Sequence, residues 1–266
     1  MNKDMHVNTW EECKDRLFQI KKETLGEVWF RGHSKTCWRL TTTLERKVLK
    51  CQTAYTDFSY FVSDYWKLML KIKPRIDEVT GCTWEVPEWS EPEWPFEHYF
   101  RINPAYGYMA YLRHHRFPSP LLDWSRSPYV AAYFAFEKEG LSDNVAIYAF
   151  LERPPSINFL PSDGPKICIR GSCNLKTHER HSRQKSSYTV CVERGDKAQP
   201  WRFVSHQKIF DSPNTGQLYK TTVPSSERIN VLKYLDGEDY NAFSLFGSDD
   251  ALMDTLALRV FDLSGA

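Results

Sequence analysis

The chain has 266 residues, 41% of them hydrophobic and 26% charged, with 35 Lys+Arg against 34 Asp+Glu. A net charge of +1 excludes a uniformly basic nucleic-acid coat and an acidic solvating tail. An aromatic content of 15% excludes intrinsic disorder, because such side chains bury large areas and drive packing.

In chain order, the pattern predicts a helix over 9–25, with Thr9 as its cap and Trp10, Leu17 and Ile20 at helical spacing. A strand follows over 27–31, ending at Arg31 and Gly32. A short helix is expected over 41–51 and a stronger one over 57–73, closed by Pro74. Residues 76–97 hold seven acids and no Lys or Arg, with Trp84, Trp89 and Trp94 interleaved among Pro87, Pro92 and Pro95. Prolines break regular structure, so this is a loop. Its aromatics either pack back onto the body or form a docking surface for a basic partner.

A helix is expected over 104–115, then a strand at Leu121–Trp124. Ser127 and Pro128 suit the N-cap and first turn of the next helix. NVAIYAFL at 144–151 reads as a buried strand. Residues 166–208 carry ten Lys/Arg against three acids, so the neutral total conceals two opposed segments, −7 and +7. Strands are expected over 187–192 and 217–223, and helices over 226–235 and after Ser248, where Asp249 and Asp250 favour the helix's positive end. Helices come first, then strands and helices without regular alternation, which favours an α+β fold.

Seven cysteines without C-x-x-C spacing give no zinc or disulfide framework, so no metal is expected. The first 17 residues lack an apolar segment of the signal-peptide kind, and no stretch has the length of a membrane span. The expectation is a cytoplasmic protein with no membrane partner.

Rossmann, P-loop, nucleophile-elbow and H-E-x-x-H motifs are all absent from the sequence. The candidates are polar residues at element ends. Arg31 beside Gly32 suits bidentate contact with a phosphate, or a salt bridge at the rim of the core. Asp123 lies in an apolar run and needs a partner, for which Arg113 or His114 is the natural source. The pair belongs either to a structural network or to a pocket in which a histidine is oriented by an acid. Arg180 and Gln184 stand four apart before a strand, in either a solvated basic loop or an anion contact.

Taken together, WFRGHSKTCWRLTTTLER, YLRHHRFPSPLLDWSRSPYVAAYFAF, ERHSRQKSSYTV and AFSLFGSDDALMDTLA, in this order, resemble the FRG domain family. Phe30-Arg31-Gly32 is the motif that gives the family its name, and Trp38 continues it. In the second motif His114, Pro118, Leu121, Leu122, Asp123 and Trp124 match. Arg113 stands where Gln is usual, Arg116 where Gly is, and Ser119 and Ser125 where Thr is. Arg180, Gln184 and Tyr188 fit the third motif. Leu245, Phe246 and Asp249 fit the last, with Gly247 in place of Pro.

The resemblance implies one domain over 1–266, with an N-terminal helix (1–26), the acidic insert (76–97) and a basic insert (193–216). It implies a mixed, largely antiparallel split sheet flanked by helices, similar to ADP-ribosyltransferases. NAD would be the substrate, in an intracellular bacterial or phage toxin or defence effector. Arg31, His114, Asp123, Arg180 and Gln184 would form the catalytic set, with Arg31, Gly32 and Ser125 on NAD and Glu179 as an available carboxylate. A macromolecular acceptor, protein or nucleic acid, and an antitoxin or regulatory partner would complete the system. Two other readings stay open: a nucleic-acid-directed nuclease or binding protein, resting on the basic segment, and a non-catalytic interaction module, resting on the Trp/Pro loop.

Overall fold

The computed structural model describes residues 3–24, 26–50, 58–90, 103–140, 142–151, 166–170, 179–194, 199–211 and 217–264. The chain opens with strand β1 (Asp4–His6), helix α1 (Trp10–Glu23), β2 (Val28–His33), α2 (Thr43–Lys50), β3 (Ser59–Phe61) and α3 (Val62–Thr80). It continues through α4 (Ala105–His114), β4 (Leu122–Ser125), α5 (Pro128–Phe136), β5 (Asn144–Leu151), β6 (Lys166–Arg170), α6 (Glu179–Arg183) and β7 (Ser186–Glu193). It closes with β8 (Arg202–Val204), α7 (His206–Phe210), β9 (Gln217–Pro224), α8 (Arg228–Gly237), α9 (Ala242–Phe246) and α10 (Asp249–Ala257).

The strands form one mixed sheet in the order β1-β9-β5-β2-β4-β7-β8-β3, with β6 on the free edge of β7. β1 and β9 run parallel, and the other described pairs run antiparallel. This is the α+β architecture expected from the sequence.

The ladder is uneven. β2 pairs with β5 over six residues and β4 with β7 over four, but β2 meets β4 only at Phe30 and Ser125. Beyond that pair, Arg31–His33 and Leu122–Asp123 diverge. The sheet therefore splits at its centre. Separate cores sit on either side of the split. Val28 and Phe30 pack with α1, α5 and α8 in one, while Tyr188 and Val190 pack with α3 and α4 in the other. Trp29, Trp124 and Phe150 face the opposite side of the sheet, beneath Phe210 of α7.

Gly32 fixes how closely β2 meets α5. A Cβ there would lie 1.9 Å from the backbone oxygen of Ala131 and 2.7 Å from the nitrogen of Ala135. The close approach that this glycine permits is to helix backbone.

Three local expectations need correction. Pro74 does not close α3, which runs to Gly81 in the left-handed conformation at φ +67°. Ile72 and Ile76 pack on the core on either side of the proline, and that packing outweighs its missing N–H. Residues 59–61, read as helix, form β3 against β8. Ser127 precedes α5 as expected, but its hydroxyl turns to Tyr240 and makes no cap, while its own N–H donates to Ser125 Oγ (3.0 Å).

In the acidic insert, 76–80 belong to α3, 81–90 are irregular, and 91–97, with Trp94, lie outside the described residues. Trp84 packs on Tyr111 (4.7 Å) and Trp89 on Trp66 (5.2 Å), while Trp66 Nε1 donates to the Pro87 carbonyl (2.7 Å). The described tryptophans are thus packed back onto the body. Within 193–216, β8 and α7 carry Phe203, His206 and Ile209 into the interior.

Candidate anion-binding cleft at the strand split

A cavity of about 640 Å³ occupies the place where β2 and β4 part. Arg31, Gly32, Asp123, Ser125 and Gln184 line it.

Arg31 bridges the split. Its Nη1 donates to the backbone oxygen of Asp123 (2.7 Å) and its Nε to His33 Nε2 (3.0 Å). His33 can accept only as neutral imidazole. Burial, reinforced by the charge of Arg31, depresses its pKa to about 3. Burial also lowers the Arg31 pKa to about 10, opposed by attraction to Asp123 and helped by repulsion from Arg113 and Arg46. The guanidinium is charged at neutral pH.

Asp123 finds its partner in Arg113, next to His114 in the sequence, through a short ion pair to Oδ2. Its Oδ1 is buried without a hydrogen bond among the described residues. Arg46 reaches the cleft from α2, whose start is fixed by a reciprocal cap. Glu45 N donates to Thr42 Oγ1 (3.1 Å), and Thr42 N donates to a Glu45 carboxylate oxygen (3.4 Å). Burial and then Arg113 lower the Arg46 pKa. Three guanidiniums therefore converge on one paired carboxylate. Arg39 and Lys138 add two exposed cations, and Glu137 supplies a half-buried carboxylate at the end of α5. Burial raises the Glu137 pKa, and no hydrogen bond or ion pair engages its carboxylate among the described residues.

Ser125 and Gln184 hold the wall together. Ser125 Oγ donates to the Gln184 backbone oxygen (2.8 Å), and Gln184 Nε2 donates to the Leu245 carbonyl (3.3 Å). The last three motifs noted in the sequence meet at this point.

The remaining candidates lie elsewhere. His114 does not line the cavity. Its Nε2 bonds the hydroxyl of Tyr188, which also bonds His181 Nδ1 (3.0 Å). Arg180 lies 5.5 Å from the centre of the Phe246 ring, outside the lining. Glu179 is exposed and pairs with Arg183 (3.2 Å), so Glu137 is the cleft's unpaired carboxylate. Sequence reasoning missed Arg46, Lys138 and Glu137. The cap spelled by Thr42 and Glu45 was the signal that would have fixed the start of the expected helix and, with it, the position of Arg46. No group of three metal-ligating side chains occurs among the described residues, and none of their helices is long and apolar enough to cross a membrane.

The fold and site define an α+β domain with an arginine-lined cleft at a split sheet. Residues 26–144 match the FRG domain model, so this segment of the chain is an FRG domain. The match takes in β2 to the start of β5, including both strands at the split. Comparison with curated proteins and with solved structures gave no match.

Proposed function

We propose that the cleft binds NAD by its diphosphate and breaks the bond between nicotinamide and ribose, passing ADP-ribose to a macromolecule or to water. The observation that carries this reading is the meeting of Arg31, Arg46 and Arg113 around one carboxylate. Guanidiniums suit the paired oxygens of a diphosphate, and a volume of about 640 Å³ is in the range of small-molecule sites.

The chemistry asks mainly for positioning and electrostatics. The electron pair of the broken bond leaves on the nicotinamide nitrogen, and positive charge builds on the ribose. Glu137, unpaired in the cleft, offsets that charge and takes the proton of the attacking hydroxyl. Gln184 is not a base at any ordinary pH and serves as a wall. On this reading the protein acts as a toxin or defence effector, and Arg31→Ala relieves the toxicity of expressing it.

The test is nicotinamide release by purified protein, beside calorimetric titration with NAD. Wild type releases nicotinamide, and Arg31→Ala, with an unchanged circular dichroism spectrum, loses at least ~100-fold in rate. Absence of both NAD binding and nicotinamide release in wild type overturns the reading.

A further inference from the structure

The mouth of the cleft differs from its interior. Trp38 lines it with 43% of its surface exposed, whereas Trp124, on the same cleft, is 3% exposed. The Trp38 indole has two described neighbours, a ring set across it and a cation over it. The His33 ring meets it in a T-shaped contact at 6.1 Å, and Lys35 Nζ stands over the ring, 6.0 Å from its centre. A large aromatic surface is left facing water.

Arg39 and Lys138 share this mouth, both exposed. Among the described residues, neither they nor Lys35 form a salt bridge. An exposed ring on a cleft that also carries cations outside salt bridges is the pairing that single-stranded nucleic acid uses. Each base offers a stacking face and each phosphate a charge. A duplex hides its base faces, and a peptide of acidic residues has no use for the indole.

We propose that the cleft mouth binds single-stranded nucleic acid, with a base stacked on Trp38 and phosphates on Lys35, Arg39 and Lys138. The strand enters from the loop that joins β2 to α2. This claim goes beyond NAD cleavage and stands or falls separately from it.

The test is fluorescence anisotropy of a labelled twelve-residue oligo(dT) with the full chain across a salt series. A plain oligonucleotide separates a strand from a free nucleotide, since dTMP at matched concentration competes poorly. Binding is expected to weaken steeply with salt. Arg39→Ala with Lys138→Ala reduces the log–log salt slope by about 1.4. Trp38→Ala weakens oligo(dT) binding about tenfold, Trp38→Phe keeps it within about threefold, and duplex binds at least ~10-fold more weakly than single strand.

The proposal is overturned if oligo(dT) does not bind, if duplex binds equally well, or if Trp38→Ala leaves the affinity unchanged. It is also overturned if Trp38→Ala weakens NAD and spares oligo(dT), since the indole then belongs to the dinucleotide. Loss of NAD binding in wild type, with oligo(dT) binding intact, rejects the NAD reading alone.

Discussion

A guanidinium taken out of water needs compensation, and Arg31 receives it from neutral acceptors: a backbone carbonyl and an uncharged imidazole. Its positive charge is therefore left available to a ligand. Arg113 is treated differently, since Asp123 neutralises it. Asp123 is thus the group that limits how positive the cleft becomes. Asp123→Asn is expected to tighten inorganic pyrophosphate by about tenfold, because one opposing charge leaves a partly buried site. The same change costs about 1–2 kcal/mol of stability. Arg113 loses its partner while its side chain is 18% exposed and that of Asp123 36%, which places the pair between surface and buried cases. Titration calorimetry and urea unfolding read the two effects, and an unchanged or weaker pyrophosphate affinity rejects this account of the charge balance.

At the scale of elements, the turn that aims β4 is set by how α4 ends. Phe117 N donates to Leu112 O (3.0 Å) and Arg116 N to Arg113 O (3.2 Å), the paired bonds of a Schellman close. The residue between cap and exit is Arg116, at φ +66°. Left-handed backbone strains any residue with a Cβ, which is the physical reason that the FRG pattern favours Gly here. Arg116→Gly should raise stability by about 1 kcal/mol in chemical denaturation. A loss would mean that the Arg116 side chain contributes more than its backbone costs. Elements with strong periodicity or clear breakers, such as α1, β5 and α10, were legible in the sequence. β3 and β8 were not, because strands of three residues show no alternation and form only by pairing with partners distant in the chain. In the site, Arg31, Asp123 and Gln184 were legible from motif positions. Arg46 and Glu137 were not, because they enter the cleft only after the ladder between β2 and β4 stops at one pair.

At the scale of the molecule, buried histidines link stability to pH. Burial depresses both His33 and His206 to about 3, and His206 bonds Thr189 Oγ1 through Nε2 (2.9 Å). Both are neutral in the fold at pH 7, whereas an unfolded histidine titrates near 6.5. As pH falls below that value, the unfolded chain takes up protons and the fold does not. Stability present above pH ~6.5 is then lost progressively toward pH 3, at about 1.4 kcal/mol per pH unit for each histidine. Glu45 and Glu137 act in the opposite sense. Burial raises their pKa values, so the fold protonates them before the unfolded chain does and gains stability as pH falls toward their ordinary range. A difference between proteins isolates the histidine. The destabilisation caused by His206→Asn in urea unfolding should be smaller at pH 5 than at pH 7 by about 2 kcal/mol. Equal destabilisation at both values would mean that His206 is protonated in the fold. Because His33 stays neutral over the same range, its bond to Arg31 persists between pH 7 and 5 while the fold itself weakens.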